Sequence, residues 1–396
     1  MGEEITYIPL NKKILGWEEP IILDLDSEAD ENKLKALHEK NAIQFVSDNI
    51  EIALEELYHI EKPSHIDIPD DEAYKAFRTE TVGENIKKYG NWVYFPWNRT
   101  LVHFPPSEDL RRLRGSRNRN LITEDERKKL INNKTILIAG LSVGSNVVDS
   151  LLMQGVGSRY ILVDMDSLDP TNLNRIRASY DQVAIHKVDI VAKKISELDP
   201  FLEQVHYKNG LDENNLKEIL DRYRPDIIVD EMDFLRMKVH LRLKAKEEAI
   251  PVVMATDDGD DILLDIERFD LDSRQPILHG ILPQEVIDRI LSDAPMERKE
   301  LGAIIGKYFV NLENVPLRMI ESLLEVGKTL PSWPQLGGAA VLSGLYVAYA
   351  AKKILLEQEI NSGRFLMGPE EQLNPAIKSQ AYKKRKQELI NLMMNR

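Results

Sequence analysis

Apolar and polar positions alternate regularly between residues 121 and 255. The apolar run at 135–139 is short and rich in β-branched residues, as expected of a strand buried on both faces. Apolar residues then recur at helical spacing over 147–152, and Gly155 ends this segment before a second apolar run at 160–163. A strand, a helix and a second strand in this order predict a parallel βαβ unit.

The same alternation continues along the chain. Further strands are predicted at 205–207, 226–230 and 251–255, and helices at 124–131, 188–198, 212–223, 237–249, 285–291, 317–325 and 337–356. Thr123 and Glu126 form the capping-box pattern before the first of these helices. The last helix is rich in small residues and suits close packing or dimerisation. The predicted fold class over residues 111–396 is therefore α/β, a doubly wound, Rossmann-like and mostly parallel sheet.

Residues 1–110 are predicted to form a smaller α+β module. Its predicted elements are strands at 5–9 and 20–25, helices at 32–38 and 50–60, and a β-hairpin over 89–104. The aromatic residues of the hairpin are expected either to form a peptide-binding surface or to pack against the next domain. Substrate-peptide recognition is therefore a possible role of this module, which carries no recognisable catalytic motif.

Composition narrows the function classes. The net charge of −14 argues against general binding to nucleic acids or membrane surfaces, although arginines cluster at 111–119 and lysines near 383–386. The chain lacks both a signal-peptide core and an apolar run of the roughly 18 residues that span a bilayer, so a cytoplasmic location is expected. With no cysteine, these residues offer neither a disulfide, a catalytic thiol nor a thiolate zinc site.

The glycine loop after the first strand is compatible with three chemistries. Its sequence, GLSVG at 140–144, suits a dinucleotide loop, an ATP-binding loop or the G-x-S-x-G elbow of a serine hydrolase. In a hydrolase Ser142 would be the nucleophile, with His240 or His279 as its base. In a nucleotide site Ser142 is a small residue that lets the backbone approach a phosphate. A nicotinamide enzyme would use Asp164 to bind ribose hydroxyls.

Polar residues at later strand ends favour ATP. Asp164 is followed by Asn172, Arg175 and Lys187, and Asp233 follows a later strand. Cations offset the charge of a triphosphate, an acidic residue suits the ribose and a second carboxylate suits magnesium. Four more acidic residues, Asp257, Asp258, Asp260 and Asp261, are predicted to share one loop that either contacts substrate or faces water.

These motifs resemble a known family. The segment VDMDSLDPTNLNR, residues 163–175, is similar to a segment of the ubiquitin-activating superfamily, which includes the ThiF and MoeB adenylyltransferases of sulfur-carrier activation. The resemblance covers about 117–251 and weakens towards the end of the chain. It implies that ATP and magnesium are the cofactors and that the protein forms a homodimer.

The resemblance also implies roles for individual residues. Gly140, Ser142 and Gly144 belong to the nucleotide loop, and Asp164 and Asp166 lie at the ribose. Asn172, Arg175 and Lys187 contact the phosphates, and Asp233, in VDEMDF, holds magnesium. Arg119, in SRNRN, reaches the ATP of the partner subunit. Arg119, Arg175, Lys187 and Asp233 are thus the expected catalytic residues.

Three features depart from the family pattern. The glycine loop is one residue shorter than G-x-G-x-x-G, with Ser142 at a glycine position, and Phe234 replaces an asparagine. The zinc-binding C-x-x-C pairs are absent, and no cysteine is present to form a thioester. The expected reaction is therefore adenylation alone, in which a carboxylate of a peptide or small protein attacks the α-phosphate of ATP.

Peptide tailoring, as in enzymes resembling those of microcin C and pantocin biosynthesis, is the favoured subtype. In that chemistry a nucleophile of the peptide itself captures the acyl-adenylate. Adenylation of the C-terminus of a ubiquitin-like or sulfur-carrier protein is an alternative within the same chemistry. A non-catalytic nucleotide-binding scaffold, a serine hydrolase and a nicotinamide oxidoreductase are the alternatives from other classes.

Overall fold

The computed structural model describes residues 15–65, 72–292, 294–310 and 312–394. The predicted strand at 5–9 lies outside these residues. The strands are β1 Ile21–Leu23, β2 Phe45–Asp48, β3 Asn91–Phe95, β4 Thr100–Phe104, β5 Thr135–Ala139, β6 Arg159–Val163, β7 Glu203–Tyr207, β8 Ile227–Asp230, β9 Val252–Asp258, β10 Asp261–Glu267 and β11 Gly363–Met367.

Ten of the fifteen helices in the described residues lie close to positions predicted from the sequence, and the other five lie outside the predicted positions. They are α1 Glu28–Glu39, α2 Ile50–Glu61, α3 Glu72–Val82, α4 Ser107–Gly115, α5 Glu124–Ile131, α6 Gly144–Gln154, α7 Lys187–Leu198, α8 Glu213–Tyr223, α9 Leu235–Glu247, α10 Gln284–Leu291, α11 Arg298–Ile304, α12 Leu317–Leu323, α13 Gly337–Leu355, α14 Pro369–Leu373 and α15 Gln380–Met394. The predicted capping box of Thr123 and Glu126 is present at the start of α5. In the described part of the chain, no helix has the length and apolar character needed to cross a membrane.

The chain divides into two compact units. The first comprises Met1–Leu121 and Ser179–Leu202, and the second comprises Ile122–Ala178 and Glu203–Arg396. In the first unit, the described strands form a sheet of order β1-β3-β4-β2, with β3 and β4 joined as the predicted hairpin.

The hairpin aromatics belong to the core of this first unit. Trp92, Tyr94, Phe95 and Phe104 are each less than 9% exposed. Trp92 and Tyr94 pack with Leu23, whereas Phe95 and Phe104 pack on the other side of the sheet. These four aromatics therefore do not form an exposed surface, because their apolar area is already buried within the unit, and recognition of a substrate peptide by this module stays a prediction.

The second unit contains the larger sheet. Its described strands have the order β11-β10-β9-β8-β5-β6-β7. Strands β9, β8, β5, β6 and β7 are parallel to one another, whereas β10 pairs antiparallel with β9 and β11 pairs antiparallel with β10. The residues of β5 are all buried, as its apolar sequence predicts. The predicted α/β, Rossmann-like and mostly parallel fold is confirmed, with a smaller sheet in the N-terminal part.

The acidic segment 257–261 is a hairpin between two strands and not the predicted loop. Asp257 and Asp258 are the last residues of β9, and Asp261 is the first residue of β10. Only Gly259 and Asp260 form the turn, and Gly259 has a φ of 71°, which suits glycine. Aspartate is disfavoured in strands, which explains the error. Hydrogen bonds offset that preference here, since Asp261 accepts from the backbone N–H groups of Glu370 and Glu371.

Helix α13 packs closely against the glycine-loop side of this unit. Its densest contacts are with α6 and β9. A side chain at Gly344 would lie 2.6 Å from the backbone of Asn146, so only glycine fits there. The small residues of α13 therefore serve packing within the unit, one of the two roles that its sequence predicts.

Candidate functional site

Three parallel strands end together at the edge of the larger sheet where the site lies. Ala139 of β5 is in register with Val163 of β6 on one side and with Asp230 of β8 on the other. The residues that follow these strand ends are therefore neighbours in space although they are far apart in sequence. In parallel sheets, ligands bind at this carboxyl edge.

The glycine loop begins at this edge. The N–H of Gly140 donates to the carbonyl of Val163 at 2.8 Å, and its φ is 90°. A side chain at Gly140 would collide with the carbonyl of Glu231. The loop leads directly into the N-terminus of α6 at Gly144, where backbone N–H groups and the helix dipole favour an anion.

Asp164, which follows β6, is hydrogen-bonded to the glycine loop. Its Oδ2 accepts a hydrogen bond from the N–H of Leu141 at 2.6 Å, and its Oδ1 accepts one from the N–H of Asp166 at 2.8 Å. Asp164 is 8% exposed, whereas Asp166 is exposed. The structure thus places the proposed ribose carboxylate directly beside the loop.

The polar turn after β6 carries Asn172 and Arg175. Asn172 is buried, and its Oδ1 accepts a hydrogen bond from the N–H of Asp169 at 3.0 Å. The carbonyl of Arg175 accepts a hydrogen bond from Asn146 of α6 at 3.0 Å. These contacts hold the turn against the helix that follows the glycine loop.

The guanidinium of Arg175 reaches the glycine loop itself. Its Nε donates to Ser142 Oγ at 3.0 Å, and its Nη1 donates to Asn174 Oδ1 at 2.9 Å. Burial lowers the pKa of Arg175, and the nearby carboxylates of Asp257 and Asp233 partly offset that effect. A cation therefore faces the loop, as a phosphate site requires.

The contact with Arg175 also bears on the hydrolase hypothesis. A nucleophilic serine needs a neighbouring base, but Ser142 Oγ accepts its hydrogen bond from a guanidinium. The two histidines considered as bases lie beside other residues, His240 near Glu213 and His279 near Asp265. The structure therefore gives the hydrolase hypothesis no support.

A pocket of about 300 Å³ opens beside the glycine loop and the ends of β8 and β9. Its polar wall is made by Glu231, Asp233, Lys238, Thr256, Asp257 and Gln335. Its apolar wall includes Val143, Met232, Leu235, Met254, Phe309 and Trp333. The pocket combines apolar walls with a few charged groups, as small-ligand sites do.

A buried ion cluster supports this pocket from behind. Arg242 of α9 is fully buried and donates to Asp230 and, at 2.6 Å, to Glu267. Lys238, which also lines the pocket, lies 3.3 Å from Asp230 Oδ2. Burial would raise the pKa of Asp230, but Lys238 and Arg242 outweigh burial and hold it below its ordinary value. The cluster fixes the end of β8, three residues before Asp233.

Two carboxyl groups of the pocket wall have raised pKa values. Burial raises the pKa of Glu231 well above its ordinary value, although Lys238 and the N–H of Ala255 lower it. Burial also raises the pKa of Asp257 to about 6, against the opposing effects of Ser343 and Arg175. The sequence predicts a loop at Asp257, whereas the structure places it in β9, and the signal in the sequence is its position directly after the predicted buried strand at 251–255.

The remaining candidate residues belong to the first unit. Lys187 is the first residue of α7 and is buried, and the side chain of His186 caps that helix. Arg119 is exposed and follows the short turn after α4. Their roles at a nucleotide remain predictions.

A magnesium ion fits the donor set at this edge. In the described residues, no three or more His, Cys, Asp or Glu side chains group closely enough to hold a metal by themselves. Magnesium, however, is commonly held by one or two carboxylates together with substrate phosphates. Asp233 lines the pocket, and Asp257 Oδ2 is buried without a hydrogen-bond partner, so oxygen ligands of the required kind are present.

Comparison with known proteins supports the assignment of this region. Residues 115–258 match the profile of the ThiF family. An uncharacterized protein of Mycobacterium tuberculosis is 33% identical over 273 residues, which are 69% of this chain and 37% of that protein. The tRNA threonylcarbamoyladenosine dehydratase of Bacillus subtilis is 32% identical over 125 residues, 31% of this chain and 48% of that enzyme. The matches thus span less than half the length of these curated relatives.

A solved structure resembles a larger part of this chain. The crystal structure of the Escherichia coli tRNA N6-threonylcarbamoyladenosine dehydratase in complex with ATP is 20% identical, with a TM-score of 0.44. It covers 62% of this chain and 95% of that enzyme's chain. The resemblance expected from the sequence motifs is confirmed by the profile match. Residues 115–258 of this chain therefore match a ThiF family domain.

Proposed function

We propose that this protein is an ATP-dependent adenylyltransferase that activates a carboxylate of a peptide or small protein. The observation that carries the proposal is the contact between Arg175 and Ser142, which brings a cation onto a glycine loop at the N-terminus of α6. Asp164 binds the same loop, and a pocket with Asp233 in its wall lies beside it. An anion site, a ribose carboxylate and a substrate pocket are the parts that adenylation requires.

The chain's own residues supply most of the chemistry. In the proposed complex, the backbone of the glycine loop and Arg175 bind the phosphates of ATP, and Asp164 orients the ribose. The substrate carboxylate enters through the pocket and attacks the α-phosphate, so that pyrophosphate leaves and an acyl-adenylate forms. Positive groups that are fixed before the reaction stabilise the charge that develops on the phosphate. Magnesium, when bound at Asp233, offsets further phosphate charge.

Lys187 and Arg119 complete the proposed machinery. Lys187 contacts the phosphates, and Arg119 acts on the ATP of a partner subunit in a homodimer. The exposure of Arg119 suits such a role, because a residue that acts in the neighbouring subunit must be accessible at the surface.

The acceptor of the activated group is proposed to be part of the substrate. The 396 residues contain no cysteine, so the acyl group cannot pass to a thiol of this chain. Peptide tailoring, in which the peptide supplies the nucleophile, meets this restriction. The element proposed to bind the peptide is β2, an edge strand whose Phe45 and Val46 are 63% and 62% exposed. An extended peptide can add to such an edge through backbone hydrogen bonds.

Pyrophosphate exchange tests the proposal. Purified protein is incubated with ATP, Mg²⁺ and labelled pyrophosphate in the presence of short peptides and of a ubiquitin-like or sulfur-carrier protein. We expect label to appear in ATP with the true substrate. Asp233→Ala should abolish exchange, whereas Asp260→Ala, in the exposed β9–β10 turn, should leave it unchanged. ATP binding without exchange would favour a nucleotide-binding scaffold, and no ATP binding would refute the proposal.

A tRNA substrate is the second candidate. Named relatives in Bacillus subtilis and Escherichia coli are tRNA threonylcarbamoyladenosine dehydratases. Against it stand the net charge of −14 and the engagement of arginines near the domain start, Arg112 with Glu61 and Arg114 with Asp199. Adding total tRNA to the ATP reaction distinguishes the two candidates, because AMP formation that depends on tRNA would favour the second.

A further inference from the structure

Asp257 presents an unusual carboxylate at the proposed nucleotide pocket. It is 5% exposed and is the second-last residue of β9, the strand next to β8. Its Oδ1 accepts a hydrogen bond from Ser343 Oγ of α13 at 2.7 Å, and Ser343 is fully buried. Its Oδ2 is buried and has no partner of ordinary hydrogen-bond geometry among the described residues, although the nearby side chain of Gln335 lowers the pKa of the carboxyl group. A buried carboxylate oxygen without a partner is costly and indicates a missing ligand, such as water or an ion.

The charges around Asp257 favour a cation as that ligand. Burial is the main cause that raises the pKa of Asp257. Ser343 and Arg175 lower that pKa, and the like charge of Asp233 raises it further. Both carboxylates line the same pocket wall at the carboxyl edge of adjacent strands. Two neighbouring carboxylates repel each other, and a divalent cation between them relieves that repulsion. A singly charged ammonium group would offset less of it.

We propose that Asp257 is a second carboxylate ligand, beside Asp233, for the divalent cation that accompanies the nucleotide. This inference rests on the proposed ATP site and extends it to a residue outside the motifs identified in the sequence. One or two carboxylates together with phosphate oxygens form the usual protein site for Mg²⁺. Oδ2 is shielded from water, so a cation reaches it after a side-chain rearrangement. Gln335, which lines the pocket and interacts with Asp257, is the residue expected to move.

Manganese binding tests the inference without relying on activity. Mn²⁺ is titrated into the full chain with α,β-methylene-ATP, and free Mn²⁺ is measured by electron paramagnetic resonance. The variants are Asp257→Asn, which keeps the acceptor for Ser343, and Asp233→Asn. Asp258→Asn is the matched control, because Asp258 is equally buried in the same strand but faces Lys386 instead of the pocket.

We expect Asp257→Asn to weaken Mn²⁺ binding at least about tenfold, since even residues outside the ligand shell can contribute 10–100-fold to metal affinity. Asp258→Asn should bind Mn²⁺ like the wild type. If Asp257→Asn retains wild-type affinity while Asp233→Asn loses it, Asp257 only neutralises Arg175 and the inference is wrong.

Calorimetry with the nucleotide alone distinguishes two outcomes. In one, Asp257 is not a metal ligand, and in the other, the proposed ATP site itself does not exist. A wild-type protein that binds no nucleotide contradicts the ATP site itself, and Mn²⁺ is then titrated alone. Retention of Mn²⁺ that depends on both Asp233 and Asp257 would still support the two-carboxylate site. A wild-type protein that retains no Mn²⁺ under either condition overturns the inference.

Discussion

Replacing Asp258 with asparagine should stabilise the protein at neutral and alkaline pH. Asp258 is 1% exposed, and neither of its carboxylate oxygens has a hydrogen-bond partner in the described residues. Burial raises its pKa from 3.8 to about 7, with Lys386 opposing and Asp261 reinforcing the change. Between pH 3.8 and about 7, the Asp258 carboxyl group therefore keeps its proton in the folded protein, whereas it has lost that proton in the unfolded chain.

The sign and size of the effect follow from this difference. Because the folded pKa is the higher one, folding is undisturbed below pH 3.8, and the free energy of unfolding falls as the pH rises towards 7. Each pKa unit corresponds to about 1.36 kcal/mol, so about three units amount to about 4 kcal/mol. Asparagine has no charge to bury, so Asp258→Asn should recover about 4 kcal/mol at pH 8 and almost none at pH 4.

Urea unfolding at several pH values measures this effect as the difference between variant and wild type. The difference removes the contribution of every other titrating group. Asp260→Asn serves as the control, since Asp260 is exposed in the adjacent turn and should show no such dependence. A difference between Asp258→Asn and wild type that stays constant from pH 4 to pH 8 would refute the argument. It would mean that Asp258 is ionised in the folded protein at little cost.

Three further experiments test other parts of the account. Arg175→Lys loses the hydrogen bonds to Ser142 and Asn174, each worth about 1 kcal/mol. Calorimetry should therefore show ATP binding weakened tenfold or more. The control is Arg177→Lys, at a side chain that is about half exposed, and it should leave ATP binding unchanged. Arg242→Met leaves Asp230 and Glu267 without their buried cation and should lower the free energy of unfolding by about 3–5 kcal/mol, measured with denaturant. The control Arg222→Met changes an exposed ion pair and should lower it by less than about 1 kcal/mol. The inactive Arg119→Ala and Asp233→Ala proteins are mixed and refolded together. If Arg119 acts in the partner subunit, the mixture should recover about a quarter of wild-type activity, because half of the dimers are mixed and each mixed dimer has one intact site. No recovery would contradict that role.

Strong local patterns made much of the fold predictable. The capping box of Thr123 and Glu126 and the buried strand β5 appear where the sequence predicts them. Residues of the site that follow parallel strands, such as Asp164 and Asp233, could also be identified because parallel strands end at a common edge. Their proximity to the glycine loop and the pocket follows from that topology.

The parts that could not be predicted depend on tertiary contacts. The hairpin of β9 and β10 was missed because aspartates disfavour strands, and its buried partners come from distant segments, such as Ser343 for Asp257. The hairpin aromatics Trp92 and Phe95 have the sequence character of either a surface or a core, and only the packing of the first unit decides between them. The link between Ser142 and Arg175 spans 33 residues and has no local sequence signal.

The nucleotide products formed from ATP test the central claim most directly. The protein is incubated with ATP, Mg²⁺ and the peptide and carrier-protein substrates, and the products are separated and identified by mass spectrometry. Attack of a carboxylate on the α-phosphate predicts AMP and pyrophosphate in equal amounts, and their loss in Asp233→Ala. Formation of ADP and phosphate instead would contradict adenylation at this site.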